Sequence, residues 1–164
     1  METLYIFKEF FNKTLGSQNI ESRDNYSYLN PEKRENYLFN SSINGIEEAD
    51  FIFCLDFSGI QRLHNMAPLV RKSRAKKVVI DHHLDPEDFG DYYYHRTIAA
   101  STCELIYDLI REWGDEDLLD TEIGSCLYSG IMTDTGSFRH PNTTAHVHTI
   151  VASLIQLGVH TTEV

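Results

Sequence analysis

The sequence is poor in basic residues. Of its 164 residues, 14 are Lys or Arg and 25 are Asp or Glu, which gives a formal net charge of −11. Such a charge repels phosphate groups on average, so the composition argues against a general nucleic-acid or anionic-membrane binding protein. A local site could still bind phosphate if metal ions reversed the field there, with some of the acidic residues as their ligands.

Long apolar runs are also missing. No stretch approaches the ~18 apolar residues of a membrane-spanning helix, and the first segment, METLYIFKEFFNKTLG, lacks the small-residue cleavage site of a signal peptide. The three cysteines, Cys54, Cys103 and Cys126, are far apart and form no CxxC pair, so nothing supports a zinc motif. We therefore expect buried free thiols in a reducing compartment, a cytoplasmic location and no membrane partner.

The first quarter of the chain has little periodic pattern. Apolar residues at helical spacing predict a helix over residues 2–12, and a short strand is predicted over residues 37–39. Residues 17–44 are otherwise polar. The length predicts one domain. Because a weakly patterned stretch of this size is unusual inside a compact domain, we expect the fold to be incomplete.

Two short apolar runs in the middle of the chain predict buried strands. They are FIFCL at residues 51–55 and KVVI at residues 77–80, and an apolar stripe at helical spacing lies between them despite Pro68. A strand-helix-strand order predicts a parallel sheet with a right-handed crossover. The tyrosines at residues 92–94 predict a further edge strand. The expected fold is α/β, with a mostly parallel sheet flanked by helices.

Helices are predicted for the remainder. Ser101 and Glu104 match a capping box at the start of the first helix. Thr121 is predicted to cap the second helix and Asn142 the third, while Gly158 is predicted to end the third.

Acidic residues and histidines follow both predicted strands. Asp56 comes directly after the first strand, and Asp81, His82 and His83 come after the second. Because ligands of open α/β sheets bind beyond the carboxyl ends of the strands, these side chains should lie side by side. Asp134 lies where a predicted helix ends in a Thr-Gly-Ser turn. Aspartates with a histidine form a ligand set suited to Mn²⁺, Mg²⁺, Fe²⁺ or Zn²⁺.

Three segments of the chain resemble motifs of one family. They are LDF at residues 55–57, VVIDHH at residues 78–83 and GIMTDTGSFRH at residues 130–140. In order and spacing they resemble motifs II, III and IV of the DHH phosphoesterase superfamily, in the style of the bacterial oligoribonuclease/3′-phosphoadenosine-5′-phosphate phosphatase proteins. The resemblance is good over residues 49–164 and weak over residues 1–48. It implies that residues 1–164 form a partial DHH catalytic domain.

The resemblance implies a centre of two Mn²⁺ ions that hydrolyses phosphate esters. Asp56 resembles the carboxylate that bridges both ions, and His82 and Asp134 resemble ligands of the second ion. Asp81 and His83 resemble catalytic residues that orient the site and face the phosphate.

Substrate contacts are expected next to the last motif. Arg139 and His140 closely follow Asp134, so contact with a substrate phosphate is expected of both. Short oligoribonucleotides or 3′,5′-bisphosphonucleotides are the substrates that the resemblance implies. The basic run at residues 71–77 is interpreted as a solvated helix end rather than a nucleic-acid contact.

One motif of the family has no counterpart in this sequence. Motif I, an Asp-x-Asp pair in a DxDxxGS-like segment, is absent, and so is the C-terminal DHH-associated domain. We therefore expect one metal site to be incomplete and this chain alone to have little activity. Two alternatives stay open: a degenerate, non-catalytic module that binds a metal or a nucleotide, and a cyclic dinucleotide phosphodiesterase.

Overall fold

The computed structural model describes residues 45–47 and 49–162. Nearly all of them belong to one compact unit, Ile46–Val164. The helix predicted over residues 2–12 and the strand predicted over residues 37–39 lie outside the described residues.

A parallel sheet of three strands forms the centre of this unit. The strands are β1 (Phe51–Leu55), β2 (Lys76–Asp81) and β3 (Tyr92–His95), in the order β1-β2-β3. β2 pairs with both neighbours, with Leu55 opposite Ile80 and Asp81 opposite His95. Its central position explains why its apolar run is continuous, since Val79 is 1 % exposed and Ile80 is 0 % exposed. The predicted α/β fold and both predicted strands are confirmed, but β1 is less buried than predicted, since only Cys54 is buried and Phe51 is exposed.

The crossover from β1 to β2 differs from the single helix that the apolar stripe predicts. It consists of a 3-10 helix (Ile60–Met66), with a kink at His64, followed by α1 (Ala67–Lys72). Pro68 is in the first turn of α1. Proline has no N–H to donate to the preceding turn, so it can start a helix but cannot continue one.

Three further α-helices follow β3: α2 (Thr102–Glu112), α3 (Thr121–Asp134) and α4 (Ala145–Leu157), with a 3-10 turn (Glu116–Leu118) between α2 and α3. Ser101 caps α2 as predicted, because its side chain accepts a hydrogen bond from the Glu104 N–H. Gly158 ends α4 as predicted, at a φ of 110° that favours glycine.

Two predicted capping residues are wrong. Asp120 caps α3 through a hydrogen bond to the Ile123 N–H, and its neighbour Thr121 is the first residue of the helix. Thr144 caps α4, accepting a hydrogen bond from the Val147 N–H. Each true cap has a side-chain oxygen that reaches an N–H three residues ahead, which is the geometry that capping requires.

The sheet separates two apolar clusters. Val79 packs with Cys54, Ile60 and Val70 on the crossover side, whereas Ile80 packs with residues of α2, α3 and α4 on the other side. Adjacent residues of a strand point to opposite faces, so β2 contributes to both clusters. Within the part of the chain that the structure describes, no helix is long and apolar enough to cross a membrane.

The three cysteines are free, but they are not all buried. Cys54 is buried, Cys103 is half-buried and Cys126 is exposed, which contradicts the prediction for Cys126. The core-facing side of α3 is formed by Leu127 and Ile131, and Cys126 lies away from it. Burial raises the pKa of the Cys54 thiol to about 11.

Candidate metal centre

Asp56 follows β1 directly and has an unusual backbone conformation. Its N–H donates to the Ile80 carbonyl, which extends the pairing of β1 with β2 by one residue. Its φ of 65° is in the left-handed region, where aspartate is one of the few residues besides glycine found regularly. The pairing and the left-handed turn together fix Asp56 at the carboxyl end of the sheet.

Asp81 ends β2 and is completely buried. Its Oδ1 lies 2.6 Å from His83 Nδ1, so that carboxylate fixes the orientation of the His83 ring. Its Oδ2 is buried without a hydrogen-bond partner among the described residues. His95, opposite Asp81 on β3, is hydrogen-bonded through Nε2 to the His83 carbonyl at 2.7 Å. His83 is therefore held at its ring by Asp81 and at its carbonyl by His95.

His82 lies between two carboxylates. Its Nε2 is 3.5 Å from Asp56 Oδ1 and 3.8 Å from Asp134 Oδ2. On the other side of the ring, Nδ1 is 3.2 Å from the Ala99 carbonyl oxygen. A carbonyl can only accept, so this contact places the proton on Nδ1 and leaves Nε2 free to act as a ligand.

Asp134 is the last residue of α3. Burial raises the pKa of its carboxyl, and the nearby charge of Asp56 raises it further, against a smaller lowering by His82 and His83. The carbonyl groups at the end of a helix add partial negative charge at the same place. Each of these effects disfavours an ionised carboxylate and favours a cation beside it.

These donors fit a divalent metal ion. Asp56, His82 and His83 each offer a ligand atom, and those atoms lie within 4.8 Å of one another. Within the described part of the chain, neither Asp56 nor Asp134 forms an ion pair with Lys or Arg, so their charge is left for a cation. Carboxylate oxygens together with imidazole nitrogens suit Mn²⁺, Fe²⁺ and Zn²⁺.

Arg139 and His140 follow α3 and are not bonded to this group through their side chains among the described residues. Both side chains are exposed, and their N–H groups donate to the Thr135 carbonyl in the turn after α3. No hydrogen bond or ion pair among the described residues joins either side chain to Asp56, His82 or Asp134. Their contact with a substrate phosphate stays a prediction.

Several residues around the centre were not predicted from the sequence. Thr102 Oγ1 donates to Asp56 Oδ1 at 2.8 Å, and Asn142 Nδ2 donates to the carbonyl oxygens of Ala100 and Asp134. The sequence pattern gave Thr102, which follows the capping residue Ser101, no role, and it gave Asn142 only that of a helix cap. The two partners are separated by 46 positions in the Thr102–Asp56 contact and by 42 positions in the Asn142–Ala100 contact, and contacts over such separations leave no local pattern in the sequence.

The basic run at residues 71–77 is largely occupied within the fold. Arg71 pairs with Glu87 and Lys76 with Asp91, both at 2.6 Å. Lys77 Nζ donates to the Ser73 carbonyl. The interpretation of the run as a helix end holds only for its first part, because α1 ends at Lys72 and both Lys76 and Lys77 lie in β2.

This chain is similar to known proteins. Residues 3–131 match the DHH family, N-terminal domain. The chain is 37 % identical over 92 residues to the bifunctional oligoribonuclease and PAP phosphatase NrnA of Bacillus subtilis, which is 56 % of this chain and 29 % of that protein. It is 30 % identical over 164 residues to the uncharacterized protein MG371 of Mycoplasma genitalium, covering 98 % of this chain and 48 % of that protein.

A solved structure is also similar. An exopolyphosphatase-related protein from Bacteroides fragilis has a TM-score of 0.75 and 34 % sequence identity, covering 78 % of this chain and 38 % of that one. The chain thus spans less than half the length of these relatives. The family match covers well over half of the chain and includes Asp56 and the Asp81-His82-His83 segment, so this chain belongs to the DHH family.

Proposed function

We propose that this chain carries part of a metal-dependent phosphoesterase centre that acts on short oligoribonucleotides or 3′,5′-bisphosphonucleotides. The observation that supports it most is the convergence of Asp56 and Asp134 on one nitrogen of His82, at distances of 3.5 and 3.8 Å. The three residues come from a strand end, the turn after a second strand and a helix end. Their family relatives include proteins named for phosphatase and oligoribonuclease activity.

In this proposal Asp56, His82 and Asp134 hold Mn²⁺. A bound divalent cation supplies positive charge to a phosphoryl group and acidifies a water molecule beside it. Asp81 holds His83 through Nδ1, so the Nε2 of His83 is the atom that can exchange a proton with the substrate or with water. His83 suits this task because its side chain is 37 % exposed, whereas Asp81 is fully buried.

The net charge favours small substrates. A protein with a formal net charge of −11 repels a long polyanion more than it repels a substrate with one or two phosphates. A small substrate bound at the cation needs few additional positive groups, and Arg139 and His140 in the turn after α3 are our candidates for that contact. Longer nucleic acid would need a basic surface, and two residues of the basic run, Arg71 and Lys76, are already paired with Glu87 and Asp91.

A non-catalytic module that binds a metal or a nucleotide is the second candidate. The observation that favours it is the lack of a DxDxxGS-like segment in these 164 residues. Two-metal hydrolysis uses two cations on one phosphoryl group. Here the second cation would have Asp56 as its only ligand among the residues that we assign.

Calorimetric titration with Mn²⁺ tests the metal assignment. We expect binding by the wild type, and an affinity reduced by at least about tenfold in Asp56→Asn and in Asp134→Asn. Asp117→Asn is the matched control, because it removes one exposed carboxylate from the turn at the other end of α2 and α3. Equal affinity in all four proteins would refute the assignment. Slow release of mononucleotide from a dinucleotide in the presence of Mn²⁺, lost in Asp56→Asn, then distinguishes an enzyme from a binding module.

A further inference from the structure

Residues 99–102, which are the three residues before α2 and its first residue, contact the surroundings of all three candidate ligands. The Ala99 carbonyl contacts His82, and the Thr102 hydroxyl donates to Asp56. The Ala100 carbonyl accepts a hydrogen bond from Asn142, whose side chain also donates to the Asp134 carbonyl. We propose that residues 99–102, which we call the positioning turn, set the geometry of the metal centre through these three connections. This inference rests on the proposed metal site and names the residues that orient its ligands.

The first connection determines which nitrogen of His82 is available. The Ala99 carbonyl oxygen is 3.2 Å from Nδ1 and can only accept a hydrogen bond. The proton therefore stays on Nδ1, and the lone pair of Nε2 points toward Asp56 and Asp134. The other tautomer would carry its proton on Nε2 and present an N–H to the cation, which cannot bind it.

The second connection aims the Asp56 carboxylate. Thr102 is 4 % exposed, and its hydroxyl donates to Asp56 Oδ1 at 2.8 Å. The same Oδ1 is the atom nearest to His82 Nε2. A neutral donor orients the carboxylate and leaves its negative charge in place, whereas an arginine or lysine would cancel that charge. This arrangement is the one expected of a group that supports a metal ligand.

The third connection runs through Asn142 to the end of α3. Its Nδ2 donates to the Ala100 carbonyl at 3.2 Å and to the Asp134 carbonyl at 3.4 Å. An amide nitrogen has two hydrogens, so one side chain can bond both carbonyls at once. The backbone of Asp134 is thereby joined to the positioning turn, although 34 residues separate Ala100 from it in the chain.

The turn itself is rigidly held. Ser101 is 0 % exposed, and its hydroxyl accepts a hydrogen bond from the Glu104 N–H. Glu104 is 5 % exposed, and its Oε2 accepts a hydrogen bond from the Ala100 N–H at 2.6 Å. A loose turn could not fix three ligands, whereas a turn bonded into the first turn of a helix can.

A purely structural role makes a different prediction for Thr102. Thr102→Val keeps the shape and loses the donor, while Thr102→Ser keeps the donor and loses a methyl group. If Thr102 only packs, the serine variant is the more damaged one, and it shows this as a lower melting temperature. If Thr102 orients Asp56, the valine variant is the more damaged one, and it shows this as weaker metal binding.

Calorimetric titration with Mn²⁺ separates these outcomes. We expect Thr102→Val to lose about tenfold or more in affinity and Thr102→Ser to stay within about threefold of the wild type. Thr149→Val is the control, since it removes a threonine hydroxyl that donates to a carbonyl within α4. The role of Thr102 would be overturned if Thr102→Val bound Mn²⁺ with an affinity within about threefold of the wild type. It would also be overturned if Thr102→Ser bound Mn²⁺ more weakly than Thr102→Val.

A measurement without metal keeps the proposal testable if the valine variant does not fold. Nitrogen-15 spectra of the wild-type imidazole rings at about pH 8.5 report the tautomer of each neutral histidine. We expect the proton of His82 on Nδ1, and a proton on Nε2 would overturn the proposal. A wild type that has this tautomer but binds no Mn²⁺ refutes the proposed function instead, so the two failures are distinguishable.

Discussion

Asp134→Asn should stabilise the metal-free chain and destabilise it relative to the wild type once Mn²⁺ is added. The substitution keeps the shape of the side chain and removes one negative charge from the centre. In the metal-free protein that charge is unfavourable, because burial and Asp56 raise the pKa of Asp134 above its ordinary value of 3.8. An acid with a raised pKa in the folded state lowers stability as the pH rises through that pKa, so the penalty is present above that pKa.

The distances give the size of the effect. Asp56 Oδ1 and Asp134 Oδ2 lie 3.5 and 3.8 Å from the same nitrogen, so they are at most about 7 Å apart. At that separation two charges repel by about 0.6 kcal/mol in bulk water and by about 2 kcal/mol at an effective dielectric constant of about 20. Because the Asp56 side chain is 53 % exposed, we take the lower part of this range, about 1 kcal/mol.

The cation reverses the order of stability. At a Mn²⁺ concentration about 100 times the dissociation constant, binding stabilises the wild type by about 2.7 kcal/mol. A variant that binds about tenfold more weakly gains only about 1.4 kcal/mol under the same conditions. The wild type thus gains about 1.3 kcal/mol more than the variant, which exceeds the advantage of about 1 kcal/mol that the variant has without metal.

Thermal unfolding with and without Mn²⁺ measures both effects. For a chain of this size, about 1 kcal/mol corresponds to about 2–4 °C. We expect Asp134→Asn to melt about 2–4 °C above the wild type in chelator and below it in Mn²⁺, while Asp117→Asn follows the wild type in both. A variant that melts below the wild type in chelator, or that gains as much from Mn²⁺, would refute the reasoning.

Three further results are expected. Ile80→Asp should unfold the chain, because it puts an unpaired charge at a 0 % exposed position of β2, whereas Ile80→Val should cost about 0.5–1.5 kcal/mol in chemical denaturation; a stable aspartate variant would contradict the core assignment. A thiol reagent at about pH 8 should modify exposed Cys126 readily and buried Cys54, whose pKa is about 11, only after unfolding, and equal rates would contradict the burial of Cys54. The chain alone should release mononucleotide from a dinucleotide orders of magnitude more slowly than full-length Bacillus subtilis NrnA; a rate within about tenfold would mean that unassigned acids such as Asp50 or Asp85 replace motif I.

The strands were predictable because burial on both faces has a direct signature in the sequence. β2 lies between two other strands and two apolar clusters, so Val78, Val79 and Ile80 must all be apolar. The position of Asp56 and His82 followed from the same reasoning, since parallel strands bring their carboxyl ends to one edge. Their proximity in the structure agrees with that expectation.

The helix caps and the positioning turn were not predictable in the same way. Asp120 and Thr121 are adjacent and both can cap a helix, and only the backbone geometry selects Asp120. Thr102 and Asn142 act over more than 40 residues of sequence. Threonine and asparagine are both favoured at helix caps and in turns, so neither residue type indicates a distant partner. A long-range hydrogen bond leaves no periodic pattern and no compositional bias in the sequence, so a single sequence does not reveal it.

The centre also concentrates features that disfavour folding. Asp56 occupies the left-handed region, Asp134 adds a negative charge to the negative end of a helix, and Asp81 buries an oxygen without a hydrogen-bond partner among the described residues. Each feature is unfavourable by itself, and elsewhere β2 and α2 follow the ordinary rules of burial and capping. Since Asp56 and Asp134 converge on His82, and Asp81 lies directly before it in the chain, a common cause is the simplest explanation. In the function proposed above a bound cation would be that cause, because its positive charge would offset the repulsion between Asp56 and Asp134.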